Sequence, residues 1–271
     1  MIRAKKSLGQ NFLNSKAVAR DIVRVAELVP ADTVLEIGPG KGFLTAELLA
    51  SGARVIAVEK DNRMIPLLSE KFAEAIARGQ FTLIHGDILE DPEKGLTFLK
   101  KVNPFSGYKL VANIPYYLTG QILRNFLEME NKPERMILMV QKEVATRIVA
   151  RDNKESILSV AVKVYGTPKL IKKVPARYFT PAPKVDSAIL AITNISGKNF
   201  PDKASEKVFF DIVRASFAHK RKMLAGNLKK IYGGATSIKL REAGIAENAR
   251  AEELSLDKWL ALARASTIHT K

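Results

Sequence analysis

Along the first two thirds of the chain, short apolar runs alternate with longer stretches of helical period. The runs at 33–37, 54–58, 81–84, 108–112 and 136–140 have the length and branched-residue content of buried strands. Between them, 42–50, 62–77 and 120–128 read as helices, and strands alternating with helices predict a doubly wound α/β sheet with parallel pairing. A leading helix at 16–28 precedes the first strand, with Asn14 or Ser15 as its cap. After residue 150 the pattern changes. A helix-like 156–164 is followed by two runs, 169–174 and 187–193, flanking a loop at 177–186. The Gly-, Asn-, Pro- and Ser-bearing stretch 196–202 reads as a linker, and 204–218, 222–231 and 256–265 are helical in pattern. The expected organisation is an α/β domain over residues 1–195 and a smaller all-helical domain over 202–271, without internal repeats.

Length and composition agree: 271 residues suffice for one large and one smaller domain, and 46% hydrophobic with 27% charged residues describes an ordinary soluble globular protein. No apolar run approaches a membrane span, and the basic start, residues 1–6, lacks the apolar core of a signal peptide. A cytoplasmic, membrane-free protein is expected. The chain has no cysteine. That excludes disulfides, thiolate metal sites and a cysteine nucleophile, and with it the thiolate-addition route for methylating a ring carbon of cytosine or uracil. The three histidines, His85, His219 and His269, are scattered, so no metal site is expected.

Charge sharpens the expectation. Forty-four Lys and Arg against 28 Asp and Glu leave +16. Residues 1–20, 156–185 and 212–241 are basic and free of acids, the last block holding Lys220, Arg221 and Lys222. A grouped surplus of this size points to a polyanion, because each neutralised phosphate releases counterions.

Candidate chemistry sits at the strand ends. Val34-Leu35-Glu36-Ile37-Gly38-Pro39-Gly40-Lys41-Gly42 takes a strand into a glycine-rich turn that opens a helix, and glycines let backbone approach a ligand closely. The spacing is G-x-G-x-G, with Phe43 where the dinucleotide fingerprint needs its third glycine. Glu36 before the turn favours a cationic amino-acid tail over a pyrophosphate. Glu59 closes the next strand, 21 residues after Gly38, where an acid can hold both hydroxyls of a ribose. Asp87 follows the third strand and can accept from the amino group of an adenine. Either acid alone could be a helix cap, but the ordered set describes S-adenosylmethionine. At the end of the fourth strand, Asn113-Ile114-Pro115-Tyr116 offers what a planar exocyclic amine needs: a side-chain oxygen, a carbonyl freed by the following proline, and a flat ring for stacking. A strand-to-helix turn with an Asn cap is the plain alternative.

These motifs together resemble the KsgA family, the small-subunit (16S) rRNA adenine-N6,N6-dimethyltransferases. Leu8-Gly9-Gln10-Asn11-Phe12-Leu13 resembles the family's opening motif, Asn113-Ile114-Pro115-Tyr116 its N-[IL]-P-Y motif, and Phe179-Thr180-Pro181-Ala182-Pro183-Lys184-Val185-Asp186-Ser187 its F-x-P-x-P-x-V-x-S loop. Ser216-Phe217-Ala218-His219-Lys220-Arg221-Lys222-Met223-Leu224 resembles its basic C-terminal helix, with Lys220 where Arg is frequent. Relatives acting on large-subunit rRNA share the first two motifs; the last favours the small-subunit group.

The resemblance implies a Rossmann-like class I methyltransferase sheet with a helical C-terminal domain. It also implies S-adenosylmethionine as cofactor, leaving as S-adenosylhomocysteine, and small-subunit rRNA in an immature subunit as the partner of a monomeric enzyme. By motif, Asn11 and Leu13 would touch the cofactor, Gly38 its methionine part, Glu59 its ribose and Asp87 its adenine. Asn113 would serve both cofactor and target. Ile114 and Pro115 shape the amine-accepting turn, and Tyr116 and Phe179, on a rigid exposed loop, would sandwich a flipped adenine. Two other readings stay open: a DNA adenine methyltransferase, whose motif carries Pro where Ile114 stands, and a non-catalytic RNA-binding relative.

Overall fold

The computed structural model describes residues 2–90, 107–219 and 222–267. It divides into two compact units: Met1–Ala145 with Pro168–Ile195, and Thr146–Thr167 with Ser196–Lys271.

The first unit is built on a seven-stranded sheet. Its strands are β2 (Thr33–Ile37), β3 (Arg54–Glu59), β4 (Phe81–His85), β5 (Lys109–Asn113), β6 (Arg135–Gln141), β7 (Thr167–Val174) and β9 (Ser187–Thr193), in the order β4-β3-β2-β5-β6-β9-β7. The pairs β2–β3, β3–β4, β2–β5 and β5–β6 are parallel, and β9 returns antiparallel to β6. The runs read as strands are buried on both faces: Val34, Leu35, Val55, Ile56, Leu110, Val111 and Met136 through Val140 are fully inaccessible, as parallel strands covered by helices require. The chain moves outward from β2 to β4, then crosses back to β5. That reversal is a topological switch point, and ligands of such sheets bind outside the carboxyl ends of the strands there. The register sets Ile37 beside both Val58 and Ala112, so Gly38, Glu59 and Asn113 emerge side by side.

The helices differ from expectation in detail. Helix α1 (Lys16–Ala26) is capped by Ser15, whose Oγ accepts from Val18 N, and ends at Glu27, which takes a left-handed φ of 49°. Helix α2 (Phe43–Ala50) opens from the glycine turn. The single helix expected at 62–77 is two, α3 (Met64–Lys71) and α4 (Ala73–Ala77). They break at Phe72, whose ring stands edge-on to Phe81 with centroids 5.3 Å apart; this contact outweighs one continued helical turn. Helix α5 (Thr119–Glu128) follows the Asn113 turn. A two-residue ribbon of β1 (Phe12–Leu13) against β8 (Phe179–Thr180) and the helix α6 (Lys142–Val149) were not foreseen. Neither has a long enough apolar period to announce itself.

In the second unit, α7 (Ile157–Lys163), α8 (Lys203–Ser216), α9 (Leu224–Tyr232), α10 (Thr236–Glu242) and α11 (Leu256–Thr267) are helical as the pattern suggested, α10 being additional. α8 packs on α9 and α11. Asp202 caps α8, and fully buried Trp259 stacks on Phe217 at 5.7 Å. Residues 146–167, expected with the α/β domain, belong to this unit. The reason is Tyr165, whose ring meets Phe200 at 5.7 Å and Phe210 at 6.1 Å and whose hydroxyl donates to Glu206. Lys220 and Arg221 of the basic block lie outside the described residues. Among the described residues no helix is long and apolar enough to cross a membrane.

Candidate active site

One cleft at the carboxyl ends of β2–β5, about 1020 Å³ with its open mouth included, is lined by Asn11, Leu13, Gly38, Glu59, Asp87, Asn113, Ile114, Pro115, Tyr116 and Phe179. Every site residue singled out in the sequence therefore reaches the same space, although they come from six separate segments.

The glycine turn forms one wall. Gly38 has φ +66°, and a Cβ built on it meets nothing within 4 Å. A side chain there would project into room that a ligand can use. Gly42 has φ +72°, and its Cβ would fall 2.6 Å from the Phe72 ring, so helix α2 can start only from glycine. Lys71 donates to the carbonyls of Lys41 (2.8 Å) and Gly42 (3.1 Å) and fixes the turn from behind. Glu36 is buried beneath it, accepting from Thr45 Oγ1 at 2.8 Å, and burial pushes its carboxyl up to about 8.

Glu59 is 5% exposed. Its Oε2 accepts from Gly40 N at 3.0 Å and its Oε1 from Asp61 N at 2.7 Å. Burial raises its pKa, and these N–H groups oppose the rise. Each oxygen keeps a further lone pair. Asp87 accepts from Leu89 N at 2.9 Å and pairs with Lys60. Burial acts to raise its pKa, but the Lys60 ammonium and the Leu89 N–H outweigh it and hold the carboxyl low.

The N-terminal segment crosses the cleft as a strap. Phe12 packs so closely on the turn that a Cβ at Gly40 would lie 3.0 Å from its ring, and Lys41 Nζ sits 5.0 Å from the ring centroid. Leu13 faces Phe179 across the ribbon, and Asn14 Nδ2 donates to Thr180 Oγ1 at 2.8 Å. This pairing buries Phe179 to 3% exposure among Phe12, Leu13 and Ile189. Phe179 itself is thus covered, because two motifs far apart in sequence meet at the ribbon, while Thr180, Pro181, Ala182, Lys184 and Val185 after it are exposed. Lys71 and Asp61 escaped the sequence reading, since two charges without a motif carry no signal of their own; Phe12 stood in the opening motif but was given no role.

Another wall of the cleft is formed by the Asn113 turn. Asn113 Nδ2 donates to Asn11 O at 3.2 Å, which leaves Oδ1 as the acceptor. The Ile114 carbonyl takes no hydrogen bond from the described residues. Pro115 opens the short turn Tyr116–Leu118. The half-buried Tyr116 shares a 2.7 Å hydrogen bond with Ser187 Oγ, and burial raises its pKa. Two acceptors beside two aromatic rings can hold an exocyclic amine and its base; a glycine turn and two carboxylates can hold a nucleoside bearing a cationic tail.

The family model described as ribosomal RNA adenine dimethylase matches residues 1–267. The chain belongs to this family. It is an rRNA adenine dimethylase, a methyltransferase of Rossmann-like α/β fold. The ribosomal RNA small subunit methyltransferase A of Dehalococcoides mccartyi is 44% identical over 95% of this chain and 87% of its own length. The protein of the same description from Fusobacterium nucleatum is 37% identical over 95% and 96%. Among solved structures, the 23S rRNA methyltransferase ErmE matches with a TM-score of 0.73 at 26% identity, covering 95% of this chain and all of that one. A dimethyladenosine transferase from Plasmodium falciparum, at TM-score 0.74 and 22% identity over 93% and 95%, shares the fold.

Proposed function

We propose that this dimethylase uses S-adenosylmethionine to convert two adjacent adenosines near the 3′ end of small-subunit (16S) rRNA to N6,N6-dimethyladenosine, acting as a cytoplasmic monomer on the immature subunit. The observation that carries the reading is the single cleft in which a cofactor-type wall, Gly38, Glu59 and Asp87, meets an amine-accepting turn at Asn113. The small-subunit assignment draws its support from the relatives' descriptions and from the basic C-terminal block.

The cleft fits the cofactor. Gly38 leaves room for the methionine part, the spare lone pair on each Glu59 oxygen suits vicinal ribose hydroxyls, and Asp87 can accept from the adenine amino group. Asn11 and Leu13 close the strap over it. When bound, the cofactor supplies a methyl group on a good leaving group. The remaining work falls to the chain. Adenine N6 is a poor nucleophile because its lone pair is delocalised into the ring. Asn113 Oδ1 and the Ile114 carbonyl accept hydrogen bonds from its two N–H groups, draw the nitrogen toward tetrahedral geometry and free that pair; the proton N6 sheds on gaining the methyl passes to water. Tyr116 and Phe179 fix the base plane, and holding N6 in line supplies much of the remaining rate. A duplex adenine cannot reach the turn, so the base is flipped or unpaired. Dimethylation further requires that the monomethyl product still fit beside Asn113.

Transfer of labelled methyl from S-adenosylmethionine to undermethylated small-subunit particles, beside naked rRNA, large subunits and DNA, tests the proposal. Two methyls on each of two adjacent adenosines of the small subunit are expected. Preferential labelling of large subunits or DNA overturns it.

A further inference from the structure

Asp61 lies two residues beyond Glu59 and is 2% exposed. A carboxylate so buried survives only if its charge is compensated; the compensation here comes chiefly from Arg63, and the N-terminal strap adds Gln10 and Lys5 to the same carboxylate. Oδ2 accepts from Gln10 Nε2 at 2.8 Å and from Arg63 Nη2 at 2.6 Å; Oδ1 accepts from Arg63 Nε at 2.9 Å and Arg63 N at 3.2 Å. Lys5 Nζ stands 3.8 Å away. The partners are tied in turn to the strap backbone. Arg63 Nη1 donates to Arg3 O at 3.2 Å, and Gln10 Oε1 accepts from Lys5 N at 2.8 Å. The far end of the strap is fastened separately, by the ribbon of Phe12 and Leu13 with β8. The backbone N–H of Asp61 also donates to Glu59 Oε1.

We propose that Asp61 is a positioning residue for the cofactor: it clamps the strap that carries Asn11 and Leu13 across the cleft and steadies Glu59, without itself contacting the ligand. The inference rests on the reading of this cleft as the S-adenosylmethionine site. Its physical content is preorganisation. A strap ordered before the ligand arrives adds no ordering cost to binding; a strap released at Asp61 moves that cost into the binding step and costs affinity. The clamp is made of charge-assisted bonds, the stronger class.

The experiment uses the full chain and its Asp61→Asn, Gln10→Ala and double variants. Titration calorimetry with S-adenosylhomocysteine measures affinity, amide hydrogen exchange follows residues 3–13, and steady-state kinetics separates KM for S-adenosylmethionine from kcat. Asp61→Asn should raise Kd about 10- to 100-fold, the equivalent of one or two charge-assisted bonds. It should raise the cofactor KM with kcat at saturation little changed, and speed exchange in 3–13 while β2 and β3 stay protected. Gln10→Ala should do the same more weakly, and the double variant should fall short of the product of the two effects, since both break one network. Gln10→Ala leaves the Asp61–Arg63 pair intact, so the test survives if Asp61→Asn does not fold. Unchanged Kd and unchanged strap exchange in a folded variant reject the clamp, as does loss of protection spread evenly over the sheet. If the unaltered enzyme fails to bind S-adenosylhomocysteine, the cofactor reading falls and takes this one with it; if it binds and the variants bind equally, the clamp alone is wrong.

Discussion

Replacing Glu59 with alanine separates the ribose reading from a purely structural one. The side chain does two things in this fold. It accepts from Gly40 N and Asp61 N, both buried, and it holds the lone pairs assigned to the ribose. Removing a charged acceptor costs about 1.5–3 kcal/mol of binding, or roughly 10- to 150-fold in Kd. The two orphaned N–H groups cost about 1–3 kcal/mol each in stability. Relief of the burial that raises the Glu59 pKa offsets part of this. At about 2–4 °C per kcal/mol for a chain of this size, the melting temperature should fall by several degrees while the variant stays folded at 25 °C. Glu59→Gln keeps one carbonyl acceptor but turns an amide toward a backbone donor, so it should lie between the two. Calorimetry with S-adenosylmethionine and thermal melts on the same samples provide both readouts. A folded Glu59→Ala variant whose affinity stays within about twofold of the unaltered enzyme refutes the ribose role, whatever happens to its melting temperature.

Asn113→Ala should lower kcat roughly 10²- to 10³-fold, the usual scale for one preorganised hydrogen-bonding group at a reacting centre, and weaken cofactor binding less than Glu59→Ala does. Near-normal dimethylation by this variant would dismiss the amine-accepting mechanism. Burial holds Glu36 protonated up to about 8 in the folded chain, against 4.5 ordinarily. Its contribution to stability is therefore full below about pH 4.5 and is lost as pH rises through about 8. Glu36→Gln should remove that loss, so the melting temperature of the variant should gain on the unaltered protein from pH 4.5 to 8; a pH-independent difference contradicts it. Changing Lys220, Arg221 and Lys222 together to Ala should weaken binding to small-subunit particles and flatten its salt dependence by about 0.7–0.9 log units per lost phosphate contact, with cofactor affinity unchanged. An unchanged slope in filter binding assigns the grip to the basic blocks at 1–20 or 156–185.

The sheet strands were legible because a parallel strand covered on both faces is apolar along most of its length, as 33–37, 54–58 and 136–140 are, with Thr33, Glu36 and Arg54 the exceptions. The glycine turn was legible for a related reason: positive φ at Gly38 and Gly42 restricts what residue can stand there. Glu59, Asp87 and Asn113 could be placed at strand ends from their distance to the apolar runs, and the parallel register then sets them level. What the pattern could not convey is which distant segments meet. Phe12 opposite Thr180 and Leu13 opposite Phe179 form a ribbon only two residues long, with no period of its own. Asp61 gathers Gln10, Arg63 and Lys5 through side chains that would look like solvated surface in any linear reading. The assignment of residues 146–167 to the helical unit turned on Tyr165 finding an aromatic cluster. Local composition determined the elements and the chemistry offered at their ends, because strand burial and backbone sterics act on a few neighbouring residues at a time. The assembled cleft was decided by tertiary structure, since side-chain charge and aromatic area find their partners through space.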